Sequence, residues 1–431
     1  MSSSVPPTLP GRMTLLDKLS LSWLVPVFVC HWLANFTSRC IPGSSSLNWR
    51  QKLAISNLQS LRRSLNPRQL FALSRAQLTG EAVKAYCHAR GLPYTAITVP
   101  LPEKAPGGDT VDVPPPVLHV VTPANAPARG PTLLYAHGGG YLNPIRPQGH
   151  IPLALRCAAA CGARSVVFIE YSLSSEHAYP AQLVQMVAAV KHLLHRGAVG
   201  AGADGGPGSD VDGTIKPGDL VLAGDSAGGH LIASLLAHVV RPSPYAPPLA
   251  ELGGEEGKQL RAVVLLSPWV TMRTSDASFA ANSANDYLSA QQANVFIRLF
   301  RPAAGEVWAC PSEGDGAVEL WRAAFPPTSS SASASPGKSE AAGAVAKKML
   351  VTVGTGETLL DSCVRFGREL LGAETVVLDA DTHVKGALVG GKDVVLTVAP
   401  GEAHVQPALD CAVRYEHGAT LNAIMAFLKT A

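Results

Sequence analysis

A short stretch near the middle of the chain restricts the fold more than any other. An apolar run over residues 220–223 ends abruptly at Gly224-Asp225-Ser226-Ala227-Gly228, and a helical pattern follows to residue 240. A serine on a sharp turn between a strand and a helix needs small neighbours, because a Cβ atom on either glycine would crowd the backbone. The helix that begins there directs its free N–H groups and positive dipole end toward the serine. This context predicts a nucleophile elbow with Ser226 as the attacking residue.

Apolar strands and helices alternate on both sides of this stretch. The segments predicted as strands are 132–136, 165–171, 219–223, 261–267, 349–353 and 394–398. The segments predicted as helical are 49–90, 152–161, 181–196, 226–240 and 421–429. The Pro-interrupted segment 99–121 predicts antiparallel strands that open the sheet. Continuous apolar strands that alternate with helices are typical of an α/β fold, in which helices cover both faces of a mostly parallel central sheet.

The composition of the 431 residues excludes several classes of protein. Apolar residues make up 47%, which indicates a globular chain with a large core, while charged residues make up 16% and the formal net charge is +3. No run of five or six like charges occurs, and the net charge is small, so no nucleic-acid partner is expected. The eight cysteines include no C-x-x-C pair. We therefore expect packing cysteines in a reducing compartment, with no metal site and no cofactor, and the oligomeric state stays open.

The N-terminal residues 15–36 are markedly apolar, and about 18 of them reach the lower limit of a membrane span. Pro26 and His31 weaken that interpretation. Three alternatives follow: a membrane-associated helix that spans or lies on the bilayer, a helix packed over the substrate entrance, or a cleaved signal. The first predicts an intracellular protein attached to the endoplasmic reticulum, and the second predicts a cytoplasmic one.

A second glycine-rich motif, His137-Gly138-Gly139-Gly140, follows the predicted strand 132–136. Consecutive glycines after a strand leave backbone N–H groups free to point at one spot. An oxyanion hole needs such donors, because developing negative charge must meet groups that are already oriented. We therefore predict an oxyanion hole from Gly138, Gly139 and Gly140, with the N–H of Ala227 as a further donor.

A serine hydroxyl needs a base within hydrogen-bond reach, and the base needs an acid to orient it. In this fold the expected chain order is serine, acid, histidine. His404 follows the last predicted strand and is the best placed of the 13 histidines. Glu357 and Asp361 both follow the strand 349–353. Glu357 lies nearer the end of that strand and is favoured, while Asp361 stays the alternative.

These motifs resemble those of the hormone-sensitive lipase branch of the α/β-hydrolases. The stretch Tyr171-Ser-Leu-Ser-Ser-Glu176-His177-Ala-Tyr-Pro180-Ala181 is similar to a third motif of that branch, from which Ser172 and Ser174-Ser175 depart. Ser267-Pro268-Trp269 fits the turn after the next strand. Thr14-Leu-Leu-Asp-Lys18 is similar to fungal esterases of the steryl acetyl hydrolase type. The acid position departs from the family, which usually has aspartate where this chain has Glu357.

The resemblance implies an α/β-hydrolase fold with a helical cap. It implies Ser226 as nucleophile, His404 as base and Glu357 as acid, with supporting roles for His137, Asp225 and Glu176. The implied activity is hydrolysis of short-acyl, acetyl-like esters of apolar alcohols or secondary metabolites. Alternatives are a transacylase, thioesterase or amidase with the same residues, and a non-catalytic ligand receptor on the same scaffold, because the family includes a plant hormone receptor that lacks the histidine.

The same interpretation divides the chain. Residues 1–45 form an apolar N-terminal helix or membrane anchor, and residues 46–110 form a helical cap segment. Residues 111–431 form the catalytic domain, in which 270–325 is a cap insertion and the low-complexity segment 326–346 is a disordered loop. The expected partner is a small apolar ester.

Overall fold

A central β-sheet runs through the part of the chain that the computed structural model describes, which comprises residues 12–43, 45–101, 112–198, 214–326, 343–379 and 389–431. Its strands are β1 (Tyr94–Thr98), β2 (Val117–Val121), β3 (Thr132–Ala136), β4 (Ser165–Glu170), β5 (Leu220–Asp225), β6 (Ala262–Leu266), β7 (Met349–Gly354), β8 (Glu374–Val377) and β9 (Val394–Ala399). Their spatial order is β1-β2-β4-β3-β5-β6-β7-β9-β8. The pairs β1–β2 and β2–β4 are antiparallel, and the pairs from β4 to β8 are parallel. The mostly parallel α/β sheet is confirmed.

Helices pack on both faces of this sheet and extend beyond it. They are α1 (Leu15–Ser20), α2 (Leu24–Cys40), α3 (Trp49–Ser64), α4 (Pro67–Ser74), α5 (Thr79–Arg90), α6 (His150–Ala160), α7 (Ala181–Arg196), α8 (Ala227–Val240), α9 (Ala277–Ala281), α10 (Ala290–Phe300), α11 (Ala317–Ala324), α12 (Leu360–Arg365), α13 (Gln406–Ala412) and α14 (Ala419–Lys429). The core on one face includes side chains of α5, α6 and α14, and the core on the other face includes α7, α8 and α11. Because the carboxyl ends of parallel strands meet at one edge, the segments after β3, β5, β6, β7 and β9 come together there.

Two predicted strand positions need correction. The opening antiparallel strands were expected within 99–121, but β1 lies earlier, at Tyr94–Thr98, and only β2 falls in that segment. The edge strand β8 has no counterpart among the predicted strands. It is only four residues long, and Val377 is exposed, so it lacks the continuous apolar run that marks the buried strands.

The predicted division of the chain also changes in detail. The segment 46–110 includes β1, which belongs to the central sheet, so only α3 and α4 lie apart from it in the manner of a cap. The insertion 270–325 ends in α11, whose buried Trp321 joins the main core. The predicted disordered loop 326–346 falls mostly outside the described residues. At its end, Ala346 forms a bridge with Leu260 and Val345 is buried, so those two residues belong to the fold.

The N-terminal helices form one apolar run over Leu15–Cys40, in which a 3-10 turn joins α1 to α2. Among the described residues this run alone is long and apolar enough to cross a membrane. Its last part is docked on the protein, since Asn35 Nδ2 donates to Ser60 Oγ of α3 at 2.8 Å and Arg39 donates to the carbonyl of Ala284 at 3.0 Å. Its first part also contacts the start of α4, where Gln69 Nε2 donates to the Asp17 carbonyl at 2.7 Å. The apolar side chains of that first part are nevertheless exposed, and Trp23 keeps 72% of its surface in contact with solvent.

Candidate active site

Ser226 stands at the junction of β5 and α8 in a backbone conformation that side chains rarely adopt, with φ of 52° and ψ of −117°. Small neighbours make this turn feasible. A Cβ atom on Gly228 would lie 2.0 Å from the carbonyl oxygen of Ala136, and one on Gly224 would lie 2.7 Å from the backbone of Gly228. The predicted elbow geometry is therefore present, and its strain is held by the packing of β5 and α8.

His404 lies in the loop between β9 and α13, and its Nε2 is 2.9 Å from the Ser226 Oγ atom. Its Nδ1 is 2.8 Å from Glu357 Oε2. A carboxylate accepts hydrogen bonds, so Nδ1 carries the proton and Nε2 is left to accept the serine hydroxyl. Ser226 and Glu357 lie 178 and 47 positions before His404 in the sequence, and the carboxyl edge of the parallel sheet brings their three loops together. The arrangement can activate a hydroxyl as a nucleophile.

Glu357, rather than Asp361, faces the histidine. Glu357 is fully buried, and its Oε1 accepts the Gly354 N–H at 2.6 Å and the Ser267 hydroxyl at 2.9 Å. Asp361 begins the first turn of α12 and accepts the backbone N–H of Ser278 at 2.8 Å. Asp361 therefore anchors the insertion that contains α9, and the structure does not bring it to His404.

Two further residues support this arrangement, and neither was among the predicted site residues. Ser267 Oγ accepts the Val405 N–H at 3.2 Å while it donates to Glu357, so it ties the acid to the histidine loop. Asp286 accepts the N–H of Thr358 at 2.8 Å through Oδ2 and the N–H of His404 at 3.3 Å through Oδ1. Ser267 could have been found from its position directly after β6, but no sequence signal marks Asp286.

The buried acid Glu357 and the buried base His404 shift each other's pKa. Burial by itself would lower the pKa of His404, but the hydrogen bond and the charge of Glu357, followed by the charges of Asp286 and Asp225, raise this pKa above its ordinary value. Burial raises the pKa of Glu357, and the hydrogen bond and charge of His404 oppose that increase. The site thus favours a positive charge on the imidazole, which is the charge that a base acquires when it takes a proton.

Gly139, Gly140 and Ala227 are predicted oxyanion donors, and the structure leaves their backbone N–H groups available for that role. Gly139 and Gly140 have φ values of 118° and 63°, which glycine adopts without strain. The N–H groups of all three residues make no hydrogen bond within the described part of the chain. The prediction for Gly138 is wrong, because its N–H donates to Asp225 Oδ1 at 3.0 Å and is no longer free for a ligand.

The three residues predicted to support the site lie in different surroundings. His137 is buried directly before Gly138, Gly139 and Gly140, which we call the oxyanion loop, and its backbone carbonyl accepts the Tyr171 hydroxyl at 2.6 Å. Burial lowers the pKa of the His137 imidazole to about 4. Asp225 binds the oxyanion loop, as described above. Glu176 is exposed and forms an ion pair with Arg75, so the structure places it at the surface rather than against the elbow.

Among the described residues, no group of three or more His, Cys, Asp or Glu side chains is arranged so that it could hold a metal ion.

Comparison with known proteins agrees with the fold. A family model described as "alpha/beta hydrolase fold" matches residues 133–383. The chain belongs to this family, in the hormone-sensitive lipase branch.

Individual relatives are more distant. The chain is 31% identical over 183 residues to an acetyl-hydrolase from Streptomyces hygroscopicus, a match that spans 42% of the chain and only half of that relative. A solved esterase of the bacterial hormone-sensitive lipase family superimposes with a TM-score of 0.54 at 20% identity, covering 89% of this chain and 98% of the other. Carboxyl esterase 2 from the fungus Tuber melanosporum gives a TM-score of 0.54 at 19% identity, covering 82% and 99%. At these identities the two structures bear on the fold alone.

Proposed function

We propose that the chain is a serine carboxylester hydrolase that cleaves short-acyl, acetyl-like esters of apolar alcohols. The observation that carries the proposal is the hydrogen-bonded chain from Ser226 through His404 to Glu357. Beside it lie three backbone N–H groups that make no hydrogen bond with the described residues. Family membership in the hormone-sensitive lipase branch supports it.

The reaction follows from the contacts. Ser226 Oγ attacks the ester carbonyl while His404 Nε2 takes its proton, and Glu357 stabilises the resulting imidazolium. The N–H groups of Gly139, Gly140 and Ala227 bind the oxyanion as the tetrahedral intermediate forms. His404 then protonates the departing alcohol. Water, activated by the same nitrogen, attacks the acyl-serine and releases the acid.

Two observations support the substrate class. The relative from Streptomyces hygroscopicus carries the name acetyl-hydrolase, which favours a short acyl group. A cavity of about 1080 Å³ next to the site has apolar walls that include Leu58, Phe71 and Phe296, which favours an alcohol with an apolar body.

Hydrolysis of p-nitrophenyl acetate and butyrate tests the activity. We expect multiple turnovers with a preference for acetate, and loss of turnover in Ser226→Ala. Ser22→Ala, which removes an exposed hydroxyl on the N-terminal helices, is the matched control and keeps the parental rate. Equal rates for the parent and Ser226→Ala would overturn the proposal. Product analysis with an added alcohol separates a hydrolase, which releases acetate, from a transacylase, which forms a new ester.

We further propose that residues 15–36 attach the protein to a membrane. Only 6% of the most apolar 18-residue window in this helical run is buried, which argues against the alternative that it packs over the domain. The exposed apolar side chains include Leu15, Leu16, Leu19, Trp23, Val25 and Val29. Such a surface is stable in contact with lipid and costly in contact with water.

Carbonate extraction and flotation of the full chain test this attachment. Removal of the whole segment would also break the Asn35 and Arg39 contacts, so point substitutions are the cleaner test. We expect Trp23→Lys/Val25→Lys to move the protein from the membrane pellet to the soluble fraction. Val318→Lys/Val377→Lys changes two exposed valines elsewhere and leaves the fractionation unchanged. Recovery of the parent protein entirely in the soluble fraction, without any membrane-bound part, would contradict the proposal.

A further inference from the structure

The cavity of about 1080 Å³ adjoins the reacting groups. Val405, which follows His404, lines it, and so does Phe296. The Phe296 ring packs against the oxyanion loop so closely that a Cβ atom on Gly140 would lie 2.3 Å from it. The cavity therefore borders both the histidine loop and the oxyanion loop, which places it within reach of the larger part of an ester bound at Ser226.

The charges that line this cavity are unbalanced. Its lining includes three arginines, Arg62, Arg63 and Arg146. Among the described lining residues Asp286 is the one carboxylate, and both of its oxygens already accept hydrogen bonds from the N–H groups of Tyr287, Thr358 and His404. Asp286 forms no ion pair within 4.0 Å with these arginines in the described structure, so the cavity keeps an excess of positive charge.

Arg62 is held in a fixed position. Its Nη1 donates to the Tyr287 carbonyl at 2.6 Å and to Gln292 Oε1 at 2.5 Å, and its guanidinium carbon lies 4.9 Å from the centre of the Tyr287 ring. Burial, followed by the charge of Arg146, lowers the pKa of Arg62 to about 10. Arg62 therefore stays protonated at neutral pH, close to a second cation.

Arg146, unlike Arg62, is not held by side-chain hydrogen bonds within the described structure. Its guanidinium carbon lies 5.9 Å from the centre of the same Tyr287 ring, and its side chain is half-buried. Its guanidinium group makes no hydrogen bond or ion pair with any residue that the structure describes. Two partly desolvated cations beside one ring repel each other, and an anion placed between them would relieve that repulsion.

We propose that Arg146, together with Arg62, binds a carboxylate on the alcohol part of the substrate, so that the preferred substrates are acetate esters of hydroxy acids with an apolar body. This inference rests on the proposed esterase function. A guanidinium group matches a carboxylate with two parallel hydrogen bonds, and the donors of Arg146 form no hydrogen bond with the residues that the structure describes. The Tyr287 ring centre is 5.9 Å from that of His404, so one aromatic side chain separates the anion subsite from the base. A substrate of modest length reaches both.

Two matched ester pairs test the subsite. They are 4-acetoxybenzoate with 4-acetoxybenzamide, and 6-acetoxyhexanoate with 6-acetoxyhexanamide, where each amide lacks only the charge. We expect kcat/KM to be about 10- to 100-fold higher for the carboxylate in at least one pair, the range expected for hydrogen bonds to charged groups. Arg146→Gln brings this ratio close to one, and Arg146→Lys restores part of it. Arg298→Gln, which removes an exposed charge on α10 outside the cavity, leaves the ratio unchanged.

Binding to Ser226→Ala, measured by calorimetry, tests the subsite without any turnover. We expect the carboxylate of a pair to bind more tightly than the amide, and Ser226→Ala/Arg146→Gln to lose the difference. Equal kcat/KM and equal affinity for carboxylate and amide in both pairs would overturn the subsite even if p-nitrophenyl acetate is hydrolysed. Absence of p-nitrophenyl acetate hydrolysis with retained carboxylate selectivity in binding would instead reject the esterase and keep the anion site.

Discussion

The Asp225 carboxylate accepts the backbone N–H of Gly138 at 3.0 Å, and this contact joins the nucleophile turn to the oxyanion loop. The same oxygen, Oδ1, accepts the Tyr135 hydroxyl at 2.7 Å. Asp225 directly precedes Ser226, so the loop that holds Gly139 and Gly140 is positioned relative to the serine through one neighbouring side chain. No Cβ atom fits at Gly138 either, since it would lie 2.1 Å from Asp225 Oδ2.

Removal of the Asp225 side chain should therefore impair the oxyanion hole. We expect Asp225→Ala to lower kcat for p-nitrophenyl acetate by about 10²- to 10³-fold, as loss of one oxyanion donor does, with a smaller change in KM. Asp225→Asn keeps an oxygen that can accept both bonds, so its loss should be smaller. Thermal melting identifies any variant that fails to fold. Parental kcat in a folded Asp225→Ala protein would contradict the role.

The choice between the two carboxylates after β7 can be tested directly. Glu357→Gln should lower kcat by about 10⁴-fold, because an amide N–H₂ group facing Nδ1 favours the wrong histidine tautomer. Asp361→Asn removes a charge four residues away whose partner is the Ser278 N–H, so its effect should be far smaller. Steady-state kinetics with one ester measure both, and the reverse order of losses would reassign the acid.

The dependence of activity on pH follows from the environment of His404. The base must be neutral to accept the serine proton, so kcat/KM falls as the pH drops through the pKa of His404. Glu357, Asp286 and Asp225 raise this pKa against the effect of burial, so the acid midpoint should lie above the usual value of about 6.5.

Asp286→Asn should then shift this midpoint to lower pH, because it removes one of the charges that stabilise the imidazolium. Full profiles of kcat/KM against pH for the parent and the variant measure the shift. Asp219→Asn, at an exposed carboxylate just before β5 and at the opposite end of that strand from Ser226, is the control. A midpoint that stays unchanged or moves upward in Asp286→Asn would show that its charge does not act on His404.

Sequence patterns predicted much of this architecture because the main strands are buried and continuously apolar. They also located Ser226, His404 and Glu357, since the ends of parallel strands meet at a known edge. The predictions that failed or were missed, at Gly138 and Asp286, depend on contacts between distant parts of the chain. The use of the Gly138 N–H depends on a side chain 87 residues away, and the contact of Asp286 with His404 spans 118 residues. No periodicity records such contacts, and Asp286 lies in an insertion outside the alternating pattern.

A pair of buried carboxyl groups behind the histidine loop makes stability depend on pH. Asp410 accepts hydrogen bonds from Gln51 and Gln406, and Glu402 accepts the N–H of Ala419 at 2.9 Å. Burial, followed by the charge of Glu402, raises the pKa of Asp410 to about 8. An unfolded aspartate has a pKa of about 3.9, so between these values the folded protein binds a proton that the unfolded chain does not.

The folded state should therefore lose stability as the pH rises from about 4 to about 8, with full stabilisation only below that window. The side chain that Asp410→Asn introduces is neutral at every pH, so this variant does not lose stability as the pH rises. The melting temperature of the variant minus that of the parent should therefore increase between pH 5 and pH 8. Differential scanning calorimetry of both proteins measures that difference, and Asp219→Asn, which changes an exposed carboxylate, should show none. If the difference between Asp410→Asn and the parent stays constant with pH, or shrinks as pH rises, Asp410 does not retain its proton in the folded protein.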